Sequence, residues 1–160
     1  MPKREKGFTI VELLLVLLVV GLLAAMAVNM SLRNRHRWAL RGTAREITAM
    51  YYQARQAASR ESSMVMLDFT ADEYVLMVRR NDAWERLKGG TYAEKITVDK
   101  IPADSTGFAI SPSGILLHPN TLAIYGMQTI RVQAPHPAGQ DVITINIYPY
   151  GGIRVQTDFR

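Results

Sequence analysis

Residues 8 to 30, FTIVELLLVLLVVGLLAAMAVNM, make an apolar run of more than twenty residues whose single charged side chain is Glu12. A helix of that length rises about 30 Å, which matches the hydrocarbon core of a bilayer. A carboxylate inside such a run costs roughly 2.5 to 3.5 kcal/mol on insertion scales, so it needs a partner. Before the run stands a short basic leader, MPKREKG, ending at the Gly7-Phe8 junction. A secretory signal peptide would use Lys3, Arg4 and Lys6 as its basic region and Leu13 to Leu23 as its apolar region. Ala25-Met26-Ala27 would then be its cleavage site, but a glutamate opening the apolar region is poor signal-peptide chemistry. A plain single-span anchor leaves Glu12 unexplained.

The 160 residues leave room for one modest domain beyond the run. The net charge is +5, of which the leader, with three basic residues and Glu5, holds +2, so +3 remains. An excess that small does not mark a nucleic-acid binder. Cysteine is absent, so there is no disulfide framework and no reading of redox compartment.

After Met30 a helical pattern continues. Leu40, Ala44, Ile47, Tyr51, Ala54 and Ala58 recur in alternating four- and three-residue steps and draw one apolar stripe. No proline falls between residues 8 and 60, and the internal glycines are Gly21 and Gly42. The pattern predicts one long helix of about 50 residues, roughly 75 Å at 1.5 Å per residue. Arg33, Arg35 and Arg37 then form a basic collar suited to lipid phosphates where a helix leaves a bilayer. A DNA contact is the rival use of this collar. It lacks interleaved aromatic stacking partners apart from Trp38, so nucleic acid is not expected as a partner.

From Ser62 the period changes to two. Met64–Phe69 and Tyr74–Arg79 read as a hairpin turned by Thr70 to Glu73. Asp68 to Asp72 starts like a calcium loop but fails, with Glu73 at the required glycine and Arg79 at the bidentate glutamate. Trp84–Leu87 and Ile96–Ile101 read as further strands, divided by Gly89-Gly90. Phe108–Ile110, Ile115–Leu117, Leu122–Tyr125, Thr129–Gln133, Val142–Tyr148 and Ile153–Gln156 complete the series. Two prolines and a glycine make Ala134 to Gly139 a loop. The fold class is therefore α+β, a long amino-terminal helix followed by an antiparallel β-sheet domain.

No catalytic site assembles. Gly-x-Ser-x-Gly, Gly-x-x-x-x-Gly-Lys, His-Glu-x-x-His and Gly-x-Gly-x-x-Gly are all absent. His36, His118 and His136 lack metal spacing, and Ser59, Ser62 and Ser63 fit capping and turn roles. No enzyme activity, cofactor or metal is expected.

Gly7-Phe8-Thr9-Ile10-Val11-Glu12 resembles the processing and methylation signature of type IV prepilins and pseudopilins. The resemblance implies cleavage between Gly7 and Phe8 by a prepilin peptidase, N-methylation of Phe8, and filament assembly guided by Glu12 with Thr9. Three later stretches are similar to the H-type minor pseudopilins, the GspH/FimT group. They are Tyr51 to Arg60 with strand Met64–Phe69, the turn from Phe108 to Gly114, and the closing hairpin Gly151 to Val155.

The implied division is a cytoplasmic leader at 1–7, a transmembrane and filament-core half-helix at 8–30, an amphipathic half at 31–61, and a periplasmic β-rich domain at 62–160. The implied function is that of a minor pseudopilin of a type II secretion system, held in the bacterial inner membrane by a single span. Its expected partners are the major pseudopilin and other minor pseudopilins. The alternatives are a minor type IV pilin that primes pilus assembly or aids DNA uptake, and a signal-peptide-cleaved periplasmic binding domain. Two features depart from expectation. Arg33, Arg35, Arg37, Arg41 and Arg45 outnumber the leader's basic residues, so a count of Lys and Arg alone would put the carboxy-terminal side in the cytoplasm. The helix-kinking proline that many pilins carry near Asn29 is also missing.

Overall fold

The computed structural model describes residues 10–70, 72–93, 95–136 and 139–159, with side chains described for all of these except 27–34 and His136. The chain divides into two compact units, Met1–His36 and Arg37–Arg160. Helix α1 spans Ile10–Glu61, 52 residues, and its length follows from an uninterrupted supply of leucine, alanine and other good helix formers. It ends at Ser62, which takes a left-handed φ of 49°. Ser63 N–H then donates to the Ala58 carbonyl at 3.3 Å, the closing bond of a Schellman cap.

From Ile10 to Met26 the side chains of α1 are exposed, from Val19 at 45% to Ile10 at 79% among the large apolar ones. Among the described residues no helix is long and apolar enough to cross a membrane. Phe8 and Thr9, which open the expected span, lie outside the described residues.

The second unit is built on the other half of α1. The stripe Leu40, Ala44, Ile47, Tyr51, Ala54 and Ala58 is buried along its whole length. Two antiparallel sheets follow. The first, ordered β3-β2-β1-β5-β6, uses β1 Val65–Phe69, β2 Glu73–Arg80, β3 Ala83–Thr91, β5 Gly107–Ile110 and β6 Leu116–Leu117. The second, ordered β4-β7-β8-β9, uses β4 Thr97–Ile101, β7 Gln128–His136, β8 Gly139–Ile147 and β9 Ile153–Asp158. Alternate residues of both sheets, such as Val65, Leu67, Ile130, Val132, Ile143 and Ile145, join the helix stripe in one hydrophobic cluster.

Three sequence expectations change. Gly89-Gly90 does not divide two strands but lies inside β3, because the neighbouring strand approaches too closely for a side chain. A Cβ on Gly90 would stand 2.3 Å from the Tyr74 hydroxyl oxygen, and one on Gly89 3.0 Å from the Tyr74 carbonyl oxygen. Leu122–Tyr125 is no strand; it keeps one bridge, Leu117 to Ile124, since Leu122 takes a left-handed φ of 55°. Pro135 lies within β7 and not in a loop. Pairing with β4 stops at Gln133, so a proline beyond it costs no hydrogen bond on that side.

Burial also sets the response to alkali. It is the main cause that raises the phenols of Tyr51, Tyr74, Tyr92 and Tyr125 above their ordinary 10.0. Above about pH 10 the unfolded chain releases phenol protons that the folded chain keeps, so stability falls as pH rises. Lys100 acts in the opposite direction, its ammonium lowered chiefly by burial, but it is one group against four. Urea unfolding from pH 8 to 11 should show a net loss of stability. Tyr92→Phe should flatten that loss at little cost at pH 8, since the buried Tyr92 hydroxyl has no hydrogen-bond partner among the described residues. A slope unchanged by Tyr92→Phe would remove this tyrosine from the account.

Candidate functional site

Gly7, Phe8 and Thr9 lie outside the described residues. Glu12 lies at the amino-terminal end of the described part of α1. Around it Ile10, Val11, Leu13, Leu14 and Leu15 expose 57–79% of their surface. A continuous apolar face of that size suits a hydrocarbon or protein surround better than water. Among the described side chains from Ile10 to Met26, Glu12 is the one charged group, set among apolar residues.

The basic collar separates into residues with different surroundings. Arg33 belongs to the residues whose side chains are not described, and Arg35 is exposed. Arg37 is half-buried within the globular unit. Its Nε donates to Asp141 Oδ2 at 3.0 Å, and its guanidinium lies 5.1 Å from the Phe159 ring centre. Arg41 lies 5.0 Å from the same ring, so two cations hold one aromatic side chain beyond β9. Local pattern gave no sign of this, because Asp141 and Phe159 are more than a hundred residues away in sequence.

Arg55 organises the far end of the helix. Its Nη1 donates to the Gly151 carbonyl at 3.2 Å. Gly114 and Gly151 both take left-handed φ values, +81° and +89°, and a Cβ on either would come within 2.8 Å of the guanidinium. One guanidinium thus meets both glycine turns, and Phe108 contacts Tyr51 with ring centres 6.4 Å apart. The three stretches that carried the H-type resemblance therefore converge in space.

Sequence reading missed one further polar cluster. The side chain of Lys100, on β4, is 4% exposed. Its Nζ donates to the Pro102 carbonyl at 2.7 Å and contacts the Tyr125 hydroxyl at 3.1 Å and Asp104 Oδ1 at 3.4 Å. The Tyr125 hydroxyl donates to Asp104, and this bond is the main cause that lowers the Asp104 carboxyl below its usual range. These contacts fasten the Pro102–Ser105 turn to β4. Among the described residues no group of His, Cys, Asp and Glu could hold a metal ion.

Comparison with known proteins adds to this geometry. The family model described as the prokaryotic N-terminal methylation motif matches residues 2–28. No curated protein matches the sequence. Among solved structures, the minor pseudopilin EpsH from the type 2 secretion system of Vibrio cholerae is similar with a TM-score of 0.58 at 10% identity, covering 73% of this chain and 95% of that one. The type IV minor pilin FimU of Pseudomonas aeruginosa is similar with a TM-score of 0.55 at 17% identity, covering 78% of this chain and 90% of that one. A second crystal form of FimU gives 0.53 at 16% identity, with 72% and 91% covered. The chain joins the prokaryotic N-terminal methylation motif to a globular domain with the fold shared by minor pseudopilins and minor pilins.

Proposed function

We propose that this chain is a minor pseudopilin of a type II secretion system, of the GspH/FimT kind. Held in the inner membrane by residues 8–30, with its globular unit in the periplasm, it is cut between Gly7 and Phe8 by a prepilin peptidase and methylated on Phe8. It then leaves the bilayer and enters a short periplasmic pseudopilus beside the major and other minor pseudopilins, and that filament helps export folded proteins. Glu12, with Thr9, guides entry; Arg33 and Arg35 serve as the collar at the membrane surface, and Arg37 joins them through the face it leaves to solvent. The role is mechanical, without catalysis or cofactor. What carries the reading is the methylation motif at residues 2–28 in a chain whose structural match covers 95% of EpsH.

The likeness to FimU, at higher identity, supports a second reading as a minor type IV pilin. Deletion of the gene separates the two. Loss of folded-cargo export with surface pili retained supports the secretion role, and loss of pili with export intact supports the pilus role.

Processing is tested separately. The intact mass of membrane-extracted protein is expected to correspond to a chain beginning at Phe8 with one added methyl group. A mature terminus at Val28 would establish an ordinary signal peptide and end both filament readings.

A further inference from the structure

The two sheets have four edges, and three of them are blunted. β3 presents Glu85, Arg86 and Lys88, and its pairing with β2 is broken by a register shift at Leu76/Met77. β6 is two residues long. β4 carries Lys100 turned inward against Asp104 and Tyr125. Charged residues, bulges, short strands and inward charges are the devices that stop one sheet from pairing with another chain.

β9 carries charge only at Arg154 and Asp158, on the face away from the core, and has none of the other protections. It pairs with β8 through six successive residues without a shift, contains neither proline nor glycine, and forms the end of its sheet. Ile153, Val155 and Thr157 stand opposite Ile147, Ile145 and Ile143, on the core side of the sheet. Ile145 is fully buried, yet Val155 beside it is 47% exposed. The core face of the sheet therefore extends past the part that the helix covers.

An open groove fills that gap. It measures about 510 Å³ and lies between α1 and the β8–β9 pair, with Ala44, Ala49, Tyr52, Ile143 and Val155 on its walls. Its charged lining residues are Arg41 and Arg45, both basic.

We propose that the free edge of β9 accepts an extended segment of a partner protein as a fifth strand, whose inward side chains fill this groove. Strand pairing supplies the main-chain hydrogen bonds, and the pleat sends alternate side chains inward. The segment therefore carries apolar residues at alternate positions, and one inward position is a carboxylate facing Arg41 and Arg45. The requirement belongs to the globular unit alone and holds whichever filament the chain enters.

The test is site-specific photocrosslinking in cells that express the full chain, with the photoreactive residue at Gln156 and a control at Leu87 on β3. Crosslinked peptides are mapped by mass spectrometry. The expected product joins Gln156 to an alternating apolar segment of another protein with an aspartate or glutamate in phase. Its yield should fall at least about tenfold with Val155→Lys, which turns a charge into the groove, and with Arg45→Glu, which reverses the rim. Arg45 is exposed on α1, so that variant tests the rim even where Val155→Lys lowers the amount of protein. The Leu87 position should give no such product. No product at Gln156 would overturn the proposal. So would a product with a second copy of this chain, with a helical or carboxylate-free segment, or with a yield indifferent to both substitutions.

Discussion

Glu12→Ala is expected to leave membrane insertion and cleavage close to normal while lowering incorporation into a filament at least about tenfold. A carboxylate in hydrocarbon costs roughly 2.5 to 3.5 kcal/mol on insertion scales, so its removal makes residues 8–30 easier to insert. Assembly is different. Cleavage after Gly7 would create a positive amine on Phe8, four residues before Glu12 in sequence. A pair formed within one helix would be indifferent to neighbours, whereas a pair between Glu12 of an entering subunit and Phe8 of its neighbour couples charge pairing to assembly. The proposal takes the second arrangement. A contribution of more than about 1.4 kcal/mol from that pair already gives a tenfold effect. Glu12→Asp should be intermediate, since its reach is one methylene shorter. Crosslinking to the major subunit measures incorporation, and export in a strain without the wild-type copy measures the consequence. Normal values for Glu12→Ala in both would show that the carboxylate does not direct assembly.

Much of the helix was readable because its core face repeats with the helical period. Leu40, Ala44, Ile47, Tyr51, Ala54 and Ala58 are the residues the structure buries. Strands β1 and β2 were equally legible from their alternation, to within one residue at each end. Errors fell where a distant element overrode local composition. Gly89-Gly90 looks like a breaker in sequence, but Tyr74 of the paired strand crowds both positions, by its carbonyl at Gly89 and its side chain at Gly90. Leu122 to Tyr125 has strand composition with a backbone turn inside it. Arg37 read as a collar cation and Lys100 drew no reading of its own, and only tertiary contacts supply Asp141 for one and Tyr125 for the other. At the amino terminus the sequence signal stands by itself: Gly7, Phe8 and Thr9 lie outside the described residues, and the methylation-motif match over residues 2–28 rests on the same sequence.

Phe108→Ala is the substitution expected to damage the globular unit most. Phe108 is fully buried on β5, with its ring centre 6.4 Å from that of Tyr51 on α1 and 6.0 Å from that of Phe69 on β1. It therefore touches the helix and its own sheet together, and truncation would leave a void that neither can close alone. Phenylalanine-to-alanine changes in such positions cost about 3–5 kcal/mol, against roughly 5–15 kcal/mol for a whole domain. The thermal midpoint should fall by roughly 10–20 °C, while Leu87→Ala, on the exposed face of β3, should stay within about 0.5 kcal/mol. A midpoint within a few degrees of wild type for Phe108→Ala would show that helix and sheet are held together elsewhere. In cells this variant and Glu12→Ala should both lose export, by separable routes. Phe108→Ala should lower the amount of protein, because a larger unfolded fraction is degraded. Glu12→Ala should leave the amount unchanged and fail only at incorporation. Immunoblots of total protein beside crosslinked product tell the two apart, and equal depletion of both variants would place Glu12 among the residues that maintain the fold.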